Sequence, residues 1–300
     1  MILAKQNLFQ DIAKIVVWYP FRWFTRVLSP RASFSLFELI GDLAFHIYPG
    51  KRALLFSRIS NIFSDWAAER VTTEVRACFR NYYADRFIVN LVPLLNSKNI
   101  SEIACLRGEE HLTEALARGA GAVLVHAHFG PSQLPLLYLG HIGFSIAQIG
   151  LRKISTSFIA HKTDMIRLTL EQQMPVKHFF ADRYQRDMLR WLEEGNMLMT
   201  AGDGTGGGLK VGKFHKSELF GRVLEMPLGP YRLASLTGAP VVPVIVLRER
   251  CGFYRILIDA PLPGDSPVVM QKQFAKWLEG HLSKAPGLWH FWDEWDPNAA

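Results

Sequence analysis

The segment Gly121-Ala122-Val123-Leu124-Val125-His126-Ala127-His128-Phe129-Gly130-Pro131-Ser132-Gln133 runs from an apolar stretch into two imidazoles and a Gly-Pro turn. An unbroken apolar run of strand length suits a strand covered on both faces. In open α/β sheets the carboxyl ends of such strands carry function. His126 and His128 have the same strand parity, so a strand continuing through 128 would point both rings to one face. If Gly130 and Pro131 instead open the next helix, His128 sits in the turn and Gln133 in the first helical turn. The turn then brings the ring and the amide together. A neutral imidazole at that place can act as a general base. The plainer reading is a packing histidine held by a hydrogen bond, and His126 fits that reading, in the core or supporting its neighbour.

A second candidate is Gly202-Asp203-Gly204-Thr205-Gly206-Gly207-Gly208-Leu209-Lys210. It lacks the GxxxxGK[ST] spacing of a phosphate-binding loop. It reads as a flexible loop whose Asp203 orients an acceptor or supports His128; a surface loop is the alternative. Arg222 could hold an anionic group, because a guanidinium suits bidentate contact with phosphate. Ser132 lacks the G-x-S-x-G context of a hydrolase nucleophile. The scattered histidines form no HExxH-like ligand set, so no metal is expected. Cys78, Cys105 and Cys251 have no CxxC spacing, which argues against a disulfide scaffold, and Cys105 reads as buried and inert.

These residues need a scaffold, and the pattern supplies one. Strands are expected at 122–125, 142–149, 197–201, 241–247 and 254–259. Helices are expected through 51–95 and at 109–118, 158–172, 182–194, 227–236 and 269–282. Gly119 and Gly195 close two of them, and Pro230 lies in a first turn. Alternating strands and helices predict an α/β fold with a mixed, largely parallel central sheet flanked by helices. The organisation expected is an N-terminal membrane-associating helical part, 1–50, and one α/β domain, 51–300.

The 300 residues are 49% hydrophobic and 20% charged, which excludes disorder. The net charge of +7 favours anionic partners, yet no nucleic-acid motif stands out. No signal peptide and no spanning helix are expected. Residues 15–29 interleave Trp18, Tyr19, Phe21, Trp23 and Phe24 with Arg22 and Arg26, and Pro20 should end or kink a helix. Glu38, Asp42 and His46 recur at every fourth position on one helical face. Aromatic rings and guanidinium groups together suit a bilayer interface, while a hairpin packed on the core is the alternative. The C-terminal Trp289, Phe291, Trp292 and Trp295 read as packing or membrane edge.

The ordered blocks resemble the lipid A biosynthesis lauroyl/myristoyl acyltransferases, and more widely the HX4D/E membrane acyltransferases. His128-Phe129-Gly130-Pro131-Ser132-Gln133 is similar to that family's H-F-G-N-W-E turn. Arg107-Gly108-Glu109-Glu110-His111-Leu112, Leu192-Glu193-Glu194-Gly195 with Asp203, and Thr237-Gly238-Ala239-Pro240-Val241-Val242-Pro243 resemble its other blocks in order, over roughly 35–295. The resemblance implies a peripheral enzyme on the cytoplasmic face of a bacterial inner membrane. Such an enzyme moves an acyl group from an acyl carrier protein or CoA thioester to a hydroxyl of a lipid or glycolipid, such as a lipid A precursor. It implies no cofactor beyond that co-substrate. It implies His128 as base with position 133 as its partner, and basic acceptor-binding residues on the 158–172 helix, Lys162 and Arg167. The oxyanion is expected to meet backbone donors near Gly130 or a basic side chain.

Gln133 departs from the family acid. An amide oxygen can orient the ring but carries no charge to stabilise an imidazolium. Three explanations follow: a slower dyad, another carboxylate such as Asp203 or Glu225 at the ring, or a chain that binds lipid or acyl carrier without catalysis.

Overall fold

Apolar runs too short for helices but continuous enough to be covered on both sides build the centre of this protein. A computed structural model describes residues 15–150, 158–181, 186–204 and 210–297. Its helices are α1 (Arg22–Thr25), α2 (Pro30–Ile47), α3 (Pro49–Ile62), α4 (Ala68–Phe87), α5 (Glu109–Leu116), α6 (Leu134–His141), α7 (Phe158–Glu171), α8 (Arg186–Glu193), α9 (Gly229–Thr237) and α10 (Pro267–Leu282). Its strands are β1 (Ala104–Arg107), β2 (Ala122–His126), β3 (Ile146–Gly150), β4 (Lys177–Phe180), β5 (Met197–Ala201), β6 (Phe214–Leu219), β7 (Arg222–Pro227), β8 (Val241–Arg250) and β9 (Phe253–Ile258). Seven strands form one sheet in the order β1-β9-β8-β2-β5-β3-β4, while β6 and β7 pair as a separate hairpin. Every neighbouring pair in the large sheet is parallel except β8 with β9. The expected mixed, largely parallel α/β fold is therefore the observed one.

Strand periodicity divides the core in two. Val123, Val125 and Leu198 face one cluster with Leu192, Leu233 and Phe274. Ala122, Leu124, Met197 and Met199 face the other with Leu112, Leu134, Leu136 and Leu170. Helices thus cover both faces of the sheet, as the apolar character of β2 requires.

Some boundaries differ from expectation. The helical run through 51–95 is α3, α4 and a 3-10 segment, Ile88–Leu94, that contains Pro93. The helix expected at 182–194 is α8; residues 182–185 lie outside the described residues. β1, β4 and the β6–β7 hairpin had no clear pattern of their own.

The N-terminal part is tied down by its polar residues. Pro20 sits inside a π-helical turn, Val17–Phe21, whose wider winding accommodates a ring that an α turn would reject. Ser29 caps α2 by accepting the Ala32 N–H, and Pro30 opens it. Glu38 turns inward, where its carboxylate accepts from Arg248 Nε and Nη2, at 3.0 and 2.6 Å, and from the Tyr254 hydroxyl. Asp42 binds Arg76 and Arg80 of α4. Phe34 and Phe37 are fully buried, but Leu39, Leu43 and Ile47 stand more than half exposed along another stripe of α2. Tyr19, Trp23, Phe24, Val27 and Leu54 are exposed as well. Among the described residues, no helix is long and apolar enough to cross a membrane.

Candidate active site

β2 and β5 pair in register, His126 opposite Ala201. Each chain then continues two residues past the paired end. One arrives at His128, the other at Asp203. Two glycines permit this convergence. Gly130 has φ +70°, and a Cβ there would lie 2.3 Å from the Val246 carbonyl oxygen. A Cβ on Gly202 would lie 2.3 Å from Val125 Cγ1 and press on the Phe274 ring, so only glycine lets the loop after β5 fold over the sheet edge.

The result is a carboxylate–imidazole pair. Asp203 Oδ1 lies 2.9 Å from His128 Nδ1, and Asp203 Oδ2 accepts the His128 backbone N–H at 2.8 Å. The Trp289 indole N–H donates to the same Oδ2 at 3.0 Å. Three donors thus hold a carboxylate whose side chain is wholly buried, while the His128 side chain keeps 21% of its surface open. With Nδ1–H given to Asp203, the ring's lone pair is on Nε2.

Electrostatics follow from this geometry. Burial pulls the His128 imidazole down, but the Asp203 charge and hydrogen bond outweigh it, and the ring titrates above its ordinary value. Burial pushes Asp203 up, yet the facing imidazole, its hydrogen bond and the Trp289 bond hold it below the usual carboxylate range. His126 behaves oppositely. Burial, then the neighbouring His128, lowers it to about 4, so it is neutral at pH 7. Its Nδ1 bonds the Ala127 carbonyl at 3.0 Å, and its ring lies 5.5 Å from that of His128. That is the supporting position expected of it.

The C-terminal aromatics pack against this pair. The Phe291 ring stacks on His128 at 4.7 Å, and the His290 N–H donates to the His128 carbonyl. Trp289 and Trp292 are fully buried, and Phe291 and Trp295 nearly so. Of the two expectations for this cluster, packing holds, and Trp289 adds a direct bond to the acid. Sequence reasoning named Trp289 but missed its bond to Asp203, because no spacing rule links it to a loop 86 residues earlier.

Gln133 does not take the place expected of it. The His128 Nδ1 is occupied by Asp203, and Gln133 hydrogen-bonds the Glu171 carboxyl on α7 while its own Oε1 is buried without a partner. Of the carboxylates considered for the ring, Asp203 is the one present. Glu225 pairs instead with Lys210 on the exposed hairpin.

Three of the turn's backbone donors, those of Phe129, Gly130 and Ser132, are also committed. Gly130 N–H donates to Leu288, Phe129 N–H to Ala127, and Ser132 N–H to Asp85. The Ser132 hydroxyl donates to Asp85 too, at 2.9 Å. Ser132 is thus tied to Asp85 through both its backbone N–H and its hydroxyl.

His128 opens on a cleft of about 590 Å³ at the carboxyl ends of β2, β5, β3 and β4. His126, Gln133, Arg167 and Gly204 line it with Asp85 and Arg86. Lys162 is exposed on α7 with its ammonium over the Phe158 ring, and Arg222 is exposed on β7; neither lines the cleft. Residues 205–209 of the glycine-rich segment lie outside the described residues. Cys105 is half-buried, not buried as expected; Cys78 is the buried thiol, and all three cysteines are free. Among the described residues no cluster of three or more His, Cys, Asp or Glu could hold a metal ion.

Comparison with curated proteins returns no match. A family model described as bacterial lipid A biosynthesis acyltransferase matches residues 7–293.

Proposed function

The chain belongs to the bacterial lipid A biosynthesis acyltransferase family, and from that premise we propose that it transfers an acyl group from a thioester to a lipid hydroxyl, with His128 as the general base. The observation that carries this reading is the buried Asp203 carboxylate bonded to His128 Nδ1 at the edge of a cleft.

The step needs no covalent enzyme intermediate. His128 Nε2 takes the proton of the acceptor hydroxyl as its oxygen attacks the thioester carbonyl. Asp203 fixes the tautomer and stabilises the imidazolium. Collapse of the tetrahedral centre breaks the carbon–sulfur bond, and the leaving thiolate takes the proton back from the imidazolium. Because the N–H groups of residues 129, 130 and 132 are already bonded, a cleft cation, Arg86 or Arg167, meets the developing oxyanion.

The donor is an acyl carrier protein or CoA thioester. The acceptor is a lipid or glycolipid such as a lipid A precursor. The exposed apolar stripe of α2, with Trp23 and Phe24 beside Arg22 and Arg26, seats the enzyme on the cytoplasmic face of the inner membrane. The Asp203 carboxylate at the ring supports an enzyme over an inactive binder of lipid or acyl carrier, because a charged partner is present without an acid at 133. The experiment is acyl transfer by His128→Ala measured against the unaltered protein with lipid acceptors. Loss of more than about 10³-fold in turnover is expected; retention of full transfer would overturn the mechanism.

A further inference from the structure

Helix α4 lays a row of polar side chains against the back of the site. Glu74, Asn81 and Asp85 recur two turns and then one turn apart, on one helical face. Each reaches the chain that frames His128 and Asp203. Glu74 accepts the Gly287 N–H at 2.9 Å. Asn81 donates to the Leu288 carbonyl, which also accepts the Gly130 N–H. Asp85 Oδ1 accepts the Ser132 N–H at 2.6 Å and its hydroxyl at 2.9 Å.

Asp85 also reaches towards the other end of the turn. Its Oδ2 lies 3.7 Å from His290 Nδ1, and the His290 N–H donates to the His128 carbonyl at 2.9 Å. Burial holds His290 below its ordinary value, so that ring is neutral at pH 7 and the contact is no ion pair. One carboxylate thus faces both segments that decide where the turn lies.

We propose that Asp85 is a positioning residue for His128: by holding Ser132 it fixes the turn of residues 128–133, so that the ring stays between Asp203 and the cleft. This rests on the acyl-transfer reading above. The turn falls between the end of β2 and the start of α6, so no ladder of its own holds it. Pro131 has no N–H to give, which leaves the Ser132 N–H as the next donor after Gly130. Ser132 is buried, so without Asp85 that N–H must find another acceptor or stay unpaired at a cost. The turn then shifts, and His128 shifts with it.

Position and charge are separable here. The titratable groups acting on the His128 ring are Asp203, Asp85, Glu294 and His126. The Asp85 charge pushes the ring up as that of Asp203 does, but less strongly. Asp85→Asn removes the charge and keeps an oxygen that can accept from Ser132, whereas Asp85→Ala removes both.

The test reads turnover, the pH profile and the ring itself. Asp85→Ala is expected to lower kcat by about 10–100-fold, the scale of a misplaced reacting group, with little change in KM. Asp85→Asn is expected to recover most of that loss, while the acid limb of kcat/KM moves to lower pH by less than in Asp203→Asn. In protein carrying isotope-labelled histidine, the His128 ring signals are identified by their loss in His128→Ala. Recorded above the ring's titration, they should move in Asp85→Ala and stay near their places in Asp85→Asn.

Full turnover in Asp85→Ala, ring signals that do not move there, or an Asn variant as slow as the Ala one would overturn the proposal. If Asp85→Ala shows no cooperative melt, Ser132→Ala, which deletes the hydroxyl bond alone, carries the test. A lower kcat at an unchanged melting temperature upholds the role, and an unchanged kcat overturns it. If the ring signals move as expected but the unaltered protein acylates no lipid hydroxyl, the positioning role stands and the reaction reading falls.

Discussion

The carboxylate of Asp203 reaches His128 twice, through Oδ1 to the ring Nδ1 at 2.9 Å and through Oδ2 to the backbone N–H at 2.8 Å. The acid therefore fixes both the ring and the strand end that carries it. Its other support is the Trp289 indole N–H.

Asp203→Asn keeps the shape and removes the charge. Turnover should fall by about 10³–10⁴-fold, the scale found for the corresponding change in the serine-protease triad. The pH profile should move as well. The base works as neutral imidazole, so the rate falls as pH drops through the raised His128 value. Without the carboxylate, burial is opposed only by the smaller effects of Asp85 and Glu294, so the ring's pKa drops and the acid limb of kcat/KM should shift to lower pH. Steady-state rates between pH 5 and 9 check both; an acid limb that stays in place would deny the pair its role.

Gln133→Glu would restore the family's acid at the expected position, yet no gain in turnover should follow. The new carboxylate would stand beside Glu171, which burial already holds above its ordinary value, and two acids sharing a site repel. A rate equal to or below that of the unaltered protein is expected. A rise of tenfold or more would show that 133 reaches the ring in the working enzyme.

Trp289→Phe keeps most of the packing and deletes one bond to a buried charge. A hydrogen bond to a charged group is worth about 1.5–3 kcal/mol. If that bond positions Asp203 for catalysis, kcat should drop by about 10–100-fold with little change in KM. A destabilised but otherwise fully active protein, judged by thermal melts beside the kinetics, would make Trp289 a packing residue only.

The exposed stripe of α2 should bind bilayers. Leu43→Glu and Ile47→Glu leave the core untouched, since both side chains are more than half exposed. Co-sedimentation with anionic vesicles should fall severalfold while the melting temperature stays within a few degrees. Undiminished vesicle binding would place the membrane contact elsewhere.

Much of the fold was legible because it rests on local pattern. The apolar run 122–125 read as a covered strand and is one, 197–201 matched β5 to the residue, and Gly119 and Gly195 did end their helices. The short edge strands β1 and β4 were not legible, because four residues carry too little periodicity to separate them from loop. The candidate imidazole was legible too: a histidine just past a buried strand and before a Gly-Pro turn stands out in one dimension.

Its partner was legible only as an alternative, Asp203 or Glu225, to the motif position at 133. Position 133 is five residues away and looked natural, whereas Asp203 is 75 residues away and became adjacent only when β2 and β5 paired with His126 opposite Ala201. Register between non-consecutive strands is set by the packing of the whole sheet, and no local spacing encodes it. The sequence alone determined that a covered strand would run into an imidazole. The tertiary structure decided which carboxylate faces it, since only strand pairing and the Trp289 contact bring a buried acid to that ring.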